Sequence, residues 1–320
     1  AGRWQHPLHH AAGAGSWHQG IEVSQAVMMV AGRKRKGVLV GNNKGNSRKV
    51  SRRDIPDALR VKPGSRFKLK DPDAERDFGW DKDKAGIATA DNRNRLEDLQ
   101  YRMYADGRFG MLVAIQAIDG GGKDSTIRRV ISAFNPQGCT VTAFKAPSTE
   151  ELQHDFLWRI HKATPARGSV AVFNRSHYED VLIVRVNDLV PRAVWERRYN
   201  QINEFERILA ECDTRIVKIF LHISKEEQRE RFQDRLDDRK KNWKFDLGDL
   251  EKRTQWDAYN EAFEAMLQKC STMHAPWYVI PANRKWFRDF AVSQILIYEL
   301  EQLPLKFPQP RFDVKSVKLT

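Results

Sequence analysis

Cysteine is scarce in this sequence, and long apolar runs are missing. The three cysteines, Cys139, Cys212 and Cys270, are far apart, and their spacing excludes the C-x-x-C pattern of a zinc or redox pair. No stretch approaches the ~20 apolar residues that a membrane-spanning helix requires. We therefore expect a soluble protein of a reducing compartment, located in the cytoplasm and without a membrane partner.

Acidic residues are almost missing from the start of the chain. Residues 1–53 contain ten lysines and arginines but only one acid, Glu22, and they account for most of the formal net charge of +13. The segment also lacks apolar periodicity, so it cannot bury enough surface to offset the entropy of ordering. We expect a disordered basic tail that takes no part in the chemistry. A nucleic-acid-binding arm and a transit peptide are the alternatives.

The remaining sequence predicts an extended arm followed by one α/β domain. Residues 54–91 are polar and contain Pro56, Pro63 and Pro72, which is typical of an extended segment. Apolar runs then alternate with helical periodicity, which predicts a doubly wound parallel sheet over 92–306, with a C-terminal tail at 307–320. The predicted strands are 111–118, 140–144, 170–173, 215–223 and 277–280. The predicted helices include 92–104, 123–134, 150–161 and 285–303.

A glycine-rich loop connects the first predicted strand to the next helix. It reads AIDGGGKDST from Ala117 to Thr126. Glycines let successive backbone N–H groups face a ligand, the helix N-terminus adds partial positive charge, and Lys123 adds a full charge. We therefore predict a phosphate site. Its members are Gly120, Gly121, Gly122, Lys123, Asp124, Ser125 and Thr126.

The loop departs from the usual G-x-x-x-x-G-K-[ST] pattern. Ala117 stands where the first glycine belongs, and Asp124 stands where the Mg²⁺-binding hydroxyl belongs. Asp119 is also unusual, because a carboxylate would repel phosphate unless it held a metal or positioned a proton. We expect metal chemistry at Asp119, and a helix-capping role is the alternative.

A second charged cluster follows the predicted strand at 170–173. The carboxyl ends of parallel strands line the ligand crevice, so this cluster should face the phosphate loop. Arg175 offers a planar fork for phosphate oxygens, whereas Glu179 and Asp180 suit Mg²⁺ or ribose hydroxyls. A helix cap with surface ion pairs explains these residues, taken alone, equally well.

Together, the two clusters resemble the motifs of the polyphosphate kinase 2 family. The phosphate loop of that family is similar to x-x-D-x-x-G-K-[DG]-[SG]-T, which 117–126 match, and its second motif is similar to F-N-R-S-x-Y, which 173–178 match. The ending HYED at 177–180 resembles the subgroup called class III. Similar stretches also occur at 144–148, 154–159, 242–244 and 276–282, so the resemblance covers about 54–305.

The resemblance implies a P-loop kinase fold similar to thymidylate kinase, with a helical lid over a basic channel. It implies reversible phosphoryl transfer between inorganic polyphosphate and AMP or ADP, with ATP as the final product. The implied cofactor is Mg²⁺, with Mn²⁺ as a substitute. A homo-oligomer is expected, and nucleic acid is not expected as a partner. An ATP-dependent nucleoside-monophosphate kinase and a polyanion-binding protein without catalysis are the alternatives.

Residue roles follow from the motif match. Asp119, Lys123 and Arg175 fall at catalytic positions, and the metal site would comprise Asp119 and Glu179. The nucleotide-binding candidates are Asn174, Arg175, Glu179 and Asp180.

The lid candidate is 228–250, where arginine recurs every fourth residue. A helix would carry these arginines as one stripe of like charges, which an anion would stabilise. Interleaved acids allow the alternative of a solvated face whose charges pair locally. The candidate contacts to polyphosphate are Arg231, Arg235, Arg239, Lys240, Lys241 and Lys244, with Lys145 and Arg128 nearer the phosphate loop.

Overall fold

The computed structural model describes residues 49–319, so the predicted tail lies outside the described residues apart from 49–53. A five-stranded sheet forms the centre, with the order β2-β3-β1-β4-β5, and every neighbouring pair is parallel. All five predicted strands are confirmed, and so is the doubly wound α/β fold. The strands are β1 (Gly110–Gln116), β2 (Cys139–Ala143), β3 (Val170–Asn174), β4 (Thr214–His222) and β5 (Trp277–Pro281).

The helices cover both faces of the sheet. Every residue of β1 is buried, which is why its sequence is apolar up to Gln116 at its end. In the described part of the chain, no helix is long and apolar enough to cross a membrane. The α-helices are α1 (Ile55–Leu59), α2 (Lys82–Asp106), α3 (Lys123–Arg129), α4 (Trp158–His161), α5 (Ile183–Val186), α6 (Arg192–Glu211), α7 (Lys225–Asp237), α8 (Gly248–Thr254), α9 (Trp256–Cys270) and α10 (Lys285–Glu301).

The extended arm predicted over 54–91 is shorter than expected. Helix α2 begins at Lys82 rather than at 92, because the Asp81 carboxylate caps it by accepting a hydrogen bond from the Lys84 N–H (2.9 Å). The arm also joins the core, since Ile55 and Leu59 are buried. It is therefore part of the same packed unit as the sheet.

Two other predicted helices are interrupted. The helix predicted at 123–134 ends at Arg129 and continues as a 3₁₀ turn over Ile131–Ala133. The helix predicted at 150–161 was wrong over its centre, where the Asp155 carboxylate accepts a hydrogen bond from the Leu157 N–H (2.9 Å). Such local side-chain bonds compete with helical ones and break the element.

Candidate active site

Strand register brings the two sequence clusters together. Ile115 of β1 pairs with Asn174 of β3, so the phosphate loop and the second cluster leave the sheet at the same edge. The Arg175 N–H donates to the Ile115 carbonyl (3.2 Å). Arg175 has a left-handed backbone (φ 62°), which turns the chain out of the strand. The two clusters therefore face each other, as expected.

The phosphate loop needs glycine at two positions for different reasons. Gly122 precedes α3 with φ 103°, a conformation that side chains strongly disfavour. At Gly121 an added Cβ would lie 2.5 Å from the Ala117 Cβ and 2.9 Å from the Ile118 carbonyl oxygen. Ala117 is therefore compatible with the loop because Gly121 has no side chain.

Three cations surround the Asp119 carboxylate. Its Oδ1 accepts a hydrogen bond from Arg175 Nη2 (2.8 Å), and its Oδ2 accepts one from Lys252 Nζ (2.8 Å). Lys123 Nζ lies 4.0 Å from Oδ1. Burial opposes ionisation, but these cations hold the pKa of Asp119 well below its usual range.

The capping alternative for Asp119 was wrong. The residue at the helix boundary is Gly122, and no side chain caps α3 there. The Asp119 carboxylate instead contacts Arg175, which directly follows β3, and Lys252 of α8. Its backbone carbonyl accepts a hydrogen bond from Gln228 Nε2 (2.8 Å), which attaches α7 to the loop.

Lys123 is enclosed by the loop that precedes it. Its Nζ donates to the Ala117 carbonyl (2.8 Å), and the side chain is only 10% exposed. Burial lowers the pKa of Lys123, although the Asp119 carboxylate acts in the opposite direction. The ammonium therefore lies within the loop that was predicted to hold phosphate.

Glu179 is the second carboxylate of the site. The Gln116 amide, oriented by its hydrogen-bond partners, donates to Glu179 Oε1 (3.1 Å) and accepts from the Ser176 N–H (3.1 Å). Burial raises the pKa of Glu179, and the neighbouring Arg175 and Lys123 only partly offset this.

Asp119, Arg175, Glu179 and Lys252 line one cleft, whereas Lys123 lies within the loop and is not among the residues that line it. Its lining combines charged side chains with apolar and aromatic ones, as is usual for ligand sites. The lining residues are Ala117, Ile118, Asp119, Arg175, Glu179, Leu182, Ile183, Lys252, Tyr259 and Phe263.

The sequence matches one protein family over most of its length. The family model described as polyphosphate kinase 2 (PPK2) covers residues 79–307. The chain belongs to the polyphosphate kinase 2 family. It is 53% identical, over 253 residues, to a Meiothermus ruber protein named AMP/ADP-polyphosphate phosphotransferase; the match covers 78% of this chain and 95% of that protein.

Other proteins with polyphosphate-dependent names are also similar to this chain. A Rhodopseudomonas palustris protein named ADP-polyphosphate phosphotransferase is 47% identical, over 67% of this chain and 78% of its own length. The crystal structure of polyphosphate kinase 2 from Arthrobacter aurescens TC1 superposes with a TM-score of 0.79 at 45% identity, covering 82% of this chain and 94% of that one. The fold is therefore the predicted P-loop kinase fold.

Not every predicted site residue of this polyphosphate kinase 2 chain faces the cleft. Asp180 turns towards α6, where its Oδ1 accepts a hydrogen bond from Arg198 Nη1 (2.8 Å). Burial raises the pKa of Asp180 to about 6, although Arg198 opposes the shift. Asp180 is not among the residues that line the cleft. Its predicted contact with nucleotide stays a prediction.

The other phosphate-loop candidates are arranged around the start of α3. Asn174 Nδ2 donates to the exposed Asp124 carboxylate (2.7 Å). Ser125 Oγ accepts a hydrogen bond from Arg288 Nη1 (2.8 Å), and Thr126 Oγ1 donates to the Gly122 carbonyl (3.0 Å). These bonds fix the first turn of the helix.

The predicted arginine stripe of the lid does not form. Helix α7 ends at Asp237, because the Asn242 side chain donates to the carbonyls of Arg235 and Leu236 (both 2.8 Å) and closes the helix there. Arg239 follows the end of the helix, so it cannot continue the row.

Arg231 supports the phosphate loop rather than lining a channel. It is buried, and its Nη1 donates to the Gly120 carbonyl (2.9 Å) while its Nη2 donates to the Ala282 carbonyl (2.5 Å). Arg235 contacts the Asp249 carboxylate (3.3 Å). Both side chains therefore bind groups of the protein itself.

The remaining lid cations differ in their surroundings. Lys241 Nζ pairs with the Asp238 carboxylate (2.8 Å), as the solvated-face alternative expects. The other candidate contacts to polyphosphate have exposed side chains, and these are Arg239, Lys240, Lys244, Lys145 and Arg128. Their contact with polyphosphate stays a prediction.

Two cations of the site were missed by sequence reasoning. Lys252 lies just beyond the predicted lid, and its contact with Asp119 joins residues 133 positions apart, which no local pattern reveals. Arg288 lies in an apolar helix next to Asp289. Two adjacent charged residues in such a helix could have indicated that a buried ion pair serves the site.

Replacing Glu179 with glutamine is expected to raise the melting temperature by about 2–4 °C near pH 8. The pKa of Glu179 is raised above 4.5 in the fold. The fold therefore favours the neutral form of Glu179. This stabilisation is fully present below the unfolded pKa and is lost as the pH rises through the folded pKa. Glutamine stays neutral and avoids that loss.

Circular dichroism melts at about pH 4 and about pH 8 measure this effect, because the first value lies below the unfolded pKa of 4.5 and the loss of stability grows as the pH rises above it. The variant and the parent protein should melt alike at the lower pH. A lower melting temperature for the variant at the higher pH would contradict the assignment.

Proposed function

We propose that this chain transfers the terminal phosphoryl group of inorganic polyphosphate to AMP and to ADP, and that the reaction is reversible. The observation that carries the proposal is the convergence of Lys123, Arg175 and Lys252, from three separate parts of the chain, on Asp119 at the phosphate loop. A substrate with several negative charges would meet preorganised positive charge there. The acceptors and the donor are those in the names of its relatives.

The transfer is a direct displacement. The loop N–H groups and Lys123 hold the terminal phosphoryl group of polyphosphate, and an oxygen of the acceptor's last phosphate attacks its phosphorus. The bond from that phosphorus to the bridging oxygen breaks, and polyphosphate leaves one unit shorter. The nucleophile is already an anion, so Asp119 is not required as a general base. The protein supplies position and charge.

Asp119 and Glu179 are the residues that would hold Mg²⁺, or Mn²⁺ in its place. Among residues 49–319, no group of three or more His, Cys, Asp or Glu side chains is arranged to hold a metal. Two carboxylates in one cleft fit Mg²⁺, which commonly takes one or two protein carboxylates and completes its shell with phosphate oxygens and water. When bound, the ion neutralises charge on the reacting phosphates.

The use of both acceptors is the class III part of the proposal. The HYED ending at 177–180 supports it, and so does the higher identity to the AMP/ADP-named relative (53%) than to the ADP-named one (47%). We further propose a homo-oligomer in the cytoplasm, with nucleic acid playing no part.

The test is ATP formation from AMP, and separately from ADP, with polyphosphate as the only donor and Mg²⁺ present. ATP from both acceptors is expected. ATP from ADP alone would remove the class III assignment. No ATP from either, with the protein folded, would exclude polyphosphate as the donor.

Two further arms of the assay separate the alternatives. ADP formation from AMP and ATP that is indifferent to added polyphosphate would indicate an ATP-dependent nucleoside-monophosphate kinase. Polyphosphate binding without any turnover would indicate a polyanion-binding protein.

A further inference from the structure

A fully buried polar network lies beneath the second cluster. Glu206, on α6, accepts hydrogen bonds at Oε1 from Tyr178 Oη (2.8 Å) and at Oε2 from Lys218 Nζ (2.6 Å). The His177 ring nitrogen Nε2 lies 3.1 Å from Oε1. Lys218, on β4, also donates to Tyr178 Oη (2.9 Å) and to the Cys270 carbonyl (2.5 Å).

Stability alone does not account for this network. The side chains of Glu206 and Lys218 are both 0% exposed, and taking two charges out of water costs more than their attraction usually returns. Apolar side chains of similar volume would fill the same space at no such cost. The pair is better explained by what it holds in place.

The network ends on the segment that carries the cleft groups. His177 and Tyr178, which it binds, lie in sequence between Arg175 and Glu179, which face the cleft. Arg175 also has a left-handed backbone, which persists only where its surroundings fix it. A shift at Tyr178 would move both cleft side chains.

We propose that Glu206 and Lys218 are positioning residues for phosphoryl transfer. They anchor His177 and Tyr178 from inside the core, and this anchor fixes the backbone that presents Arg175 and Glu179. The inference rests on the proposed function, because the positioned side chains are those assigned to the transfer.

A second buried glutamate offers a matched control. Glu299, on α10, is 1% exposed and accepts hydrogen bonds from the hydroxyl of the buried Tyr278 and from Arg215. Arg215 lies near the start of β4, away from the carboxyl ends of the strands that form the cleft. None of these three residues lines the cleft.

The experiment compares Tyr178→Phe with Tyr278→Phe. Each change removes one hydroxyl from a buried glutamate and keeps the ring. Tyr178→Phe is expected to lower kcat about tenfold with little change in the KM for polyphosphate, because misplaced groups act mainly on the transition state. Tyr278→Phe should lower the melting temperature but leave kcat unchanged. Normal kcat in Tyr178→Phe, or an equal loss in both variants, would overturn the inference.

Amide hydrogen exchange gives a readout that is independent of turnover. Faster exchange over 174–182 is expected in Tyr178→Phe and not in Tyr278→Phe. If the parent protein made no ATP, the proposed function would fail while this comparison would still decide the positioning role. Unchanged exchange in both variants would refute it. The pair Glu206→Gln and Glu299→Gln repeats the comparison should either phenylalanine variant fold poorly.

Discussion

Replacing Lys123 with alanine is expected to lower kcat about 10³-fold while the protein stays folded. The Lys123 ammonium lies inside the phosphate loop, bonded to the Ala117 carbonyl and close to Asp119. A fixed charge in such a poorly solvated position stabilises the transferring phosphoryl group far more than a solvated charge would. Steady-state kcat and a circular dichroism melt measure the two effects.

The control for this variant is Lys82→Ala. Lys82 is exposed at the start of α2, far along the chain from the loop, and its removal should leave kcat unchanged. If folded Lys123→Ala protein turned over within about tenfold of the parent, the electrostatic role of Lys123 would be refuted.

Replacing Asp119 with asparagine is expected to lower kcat about 10²–10³-fold and to raise the Mg²⁺ concentration needed for half-maximal rate. Asparagine keeps the shape of the side chain but removes the charge that faces Arg175 and Lys252. It therefore tests the carboxylate and not the volume. Rates measured across a Mg²⁺ titration separate the metal effect from the loss of turnover.

The same variant should also be less stable near neutral pH. The pKa of Asp119 is depressed, so its stabilising effect is present above the unfolded pKa of 3.8 and is lost as pH falls through the folded pKa. This is opposite in sign to the effect expected for Glu179→Gln. Asp98→Asn, on the exposed face of α2, is the matched control for both measurements. An unchanged Mg²⁺ requirement would remove Asp119 from the metal site.

Local sequence predicted the sheet and the phosphate loop well. β1 is recognisable because burial on both faces demands an almost continuous apolar run. The loop is recognisable because its glycines and Lys123 follow soon after that run. The meeting of the loop with Arg175 followed from a general property of parallel sheets.

Long-range contacts were beyond local reasoning. The sequence shows that Arg231 is charged, but not that the carbonyls of Gly120 and Ala282 would surround it. The sequence placed both Glu179 and Asp180 among the nucleotide-binding candidates, but it did not show that Arg198 would pair with Asp180. No local pattern indicated that Lys252 belongs to the site, because α8 reaches Asp119 only through the packing of the whole chain.

In the proposed reaction, a phosphoryl group moves directly from polyphosphate to a nucleotide in this cleft. A single-turnover reaction with ADP and polyphosphate radiolabelled in its terminal phosphate tests it most directly. Label is expected in the γ-phosphate of ATP, with no labelled protein at any time, and ATP should become labelled about 10³-fold more slowly with Lys123→Ala. Labelled protein that forms before ATP, or labelled ATP from the Lys123→Ala protein at the parent rate, would contradict it.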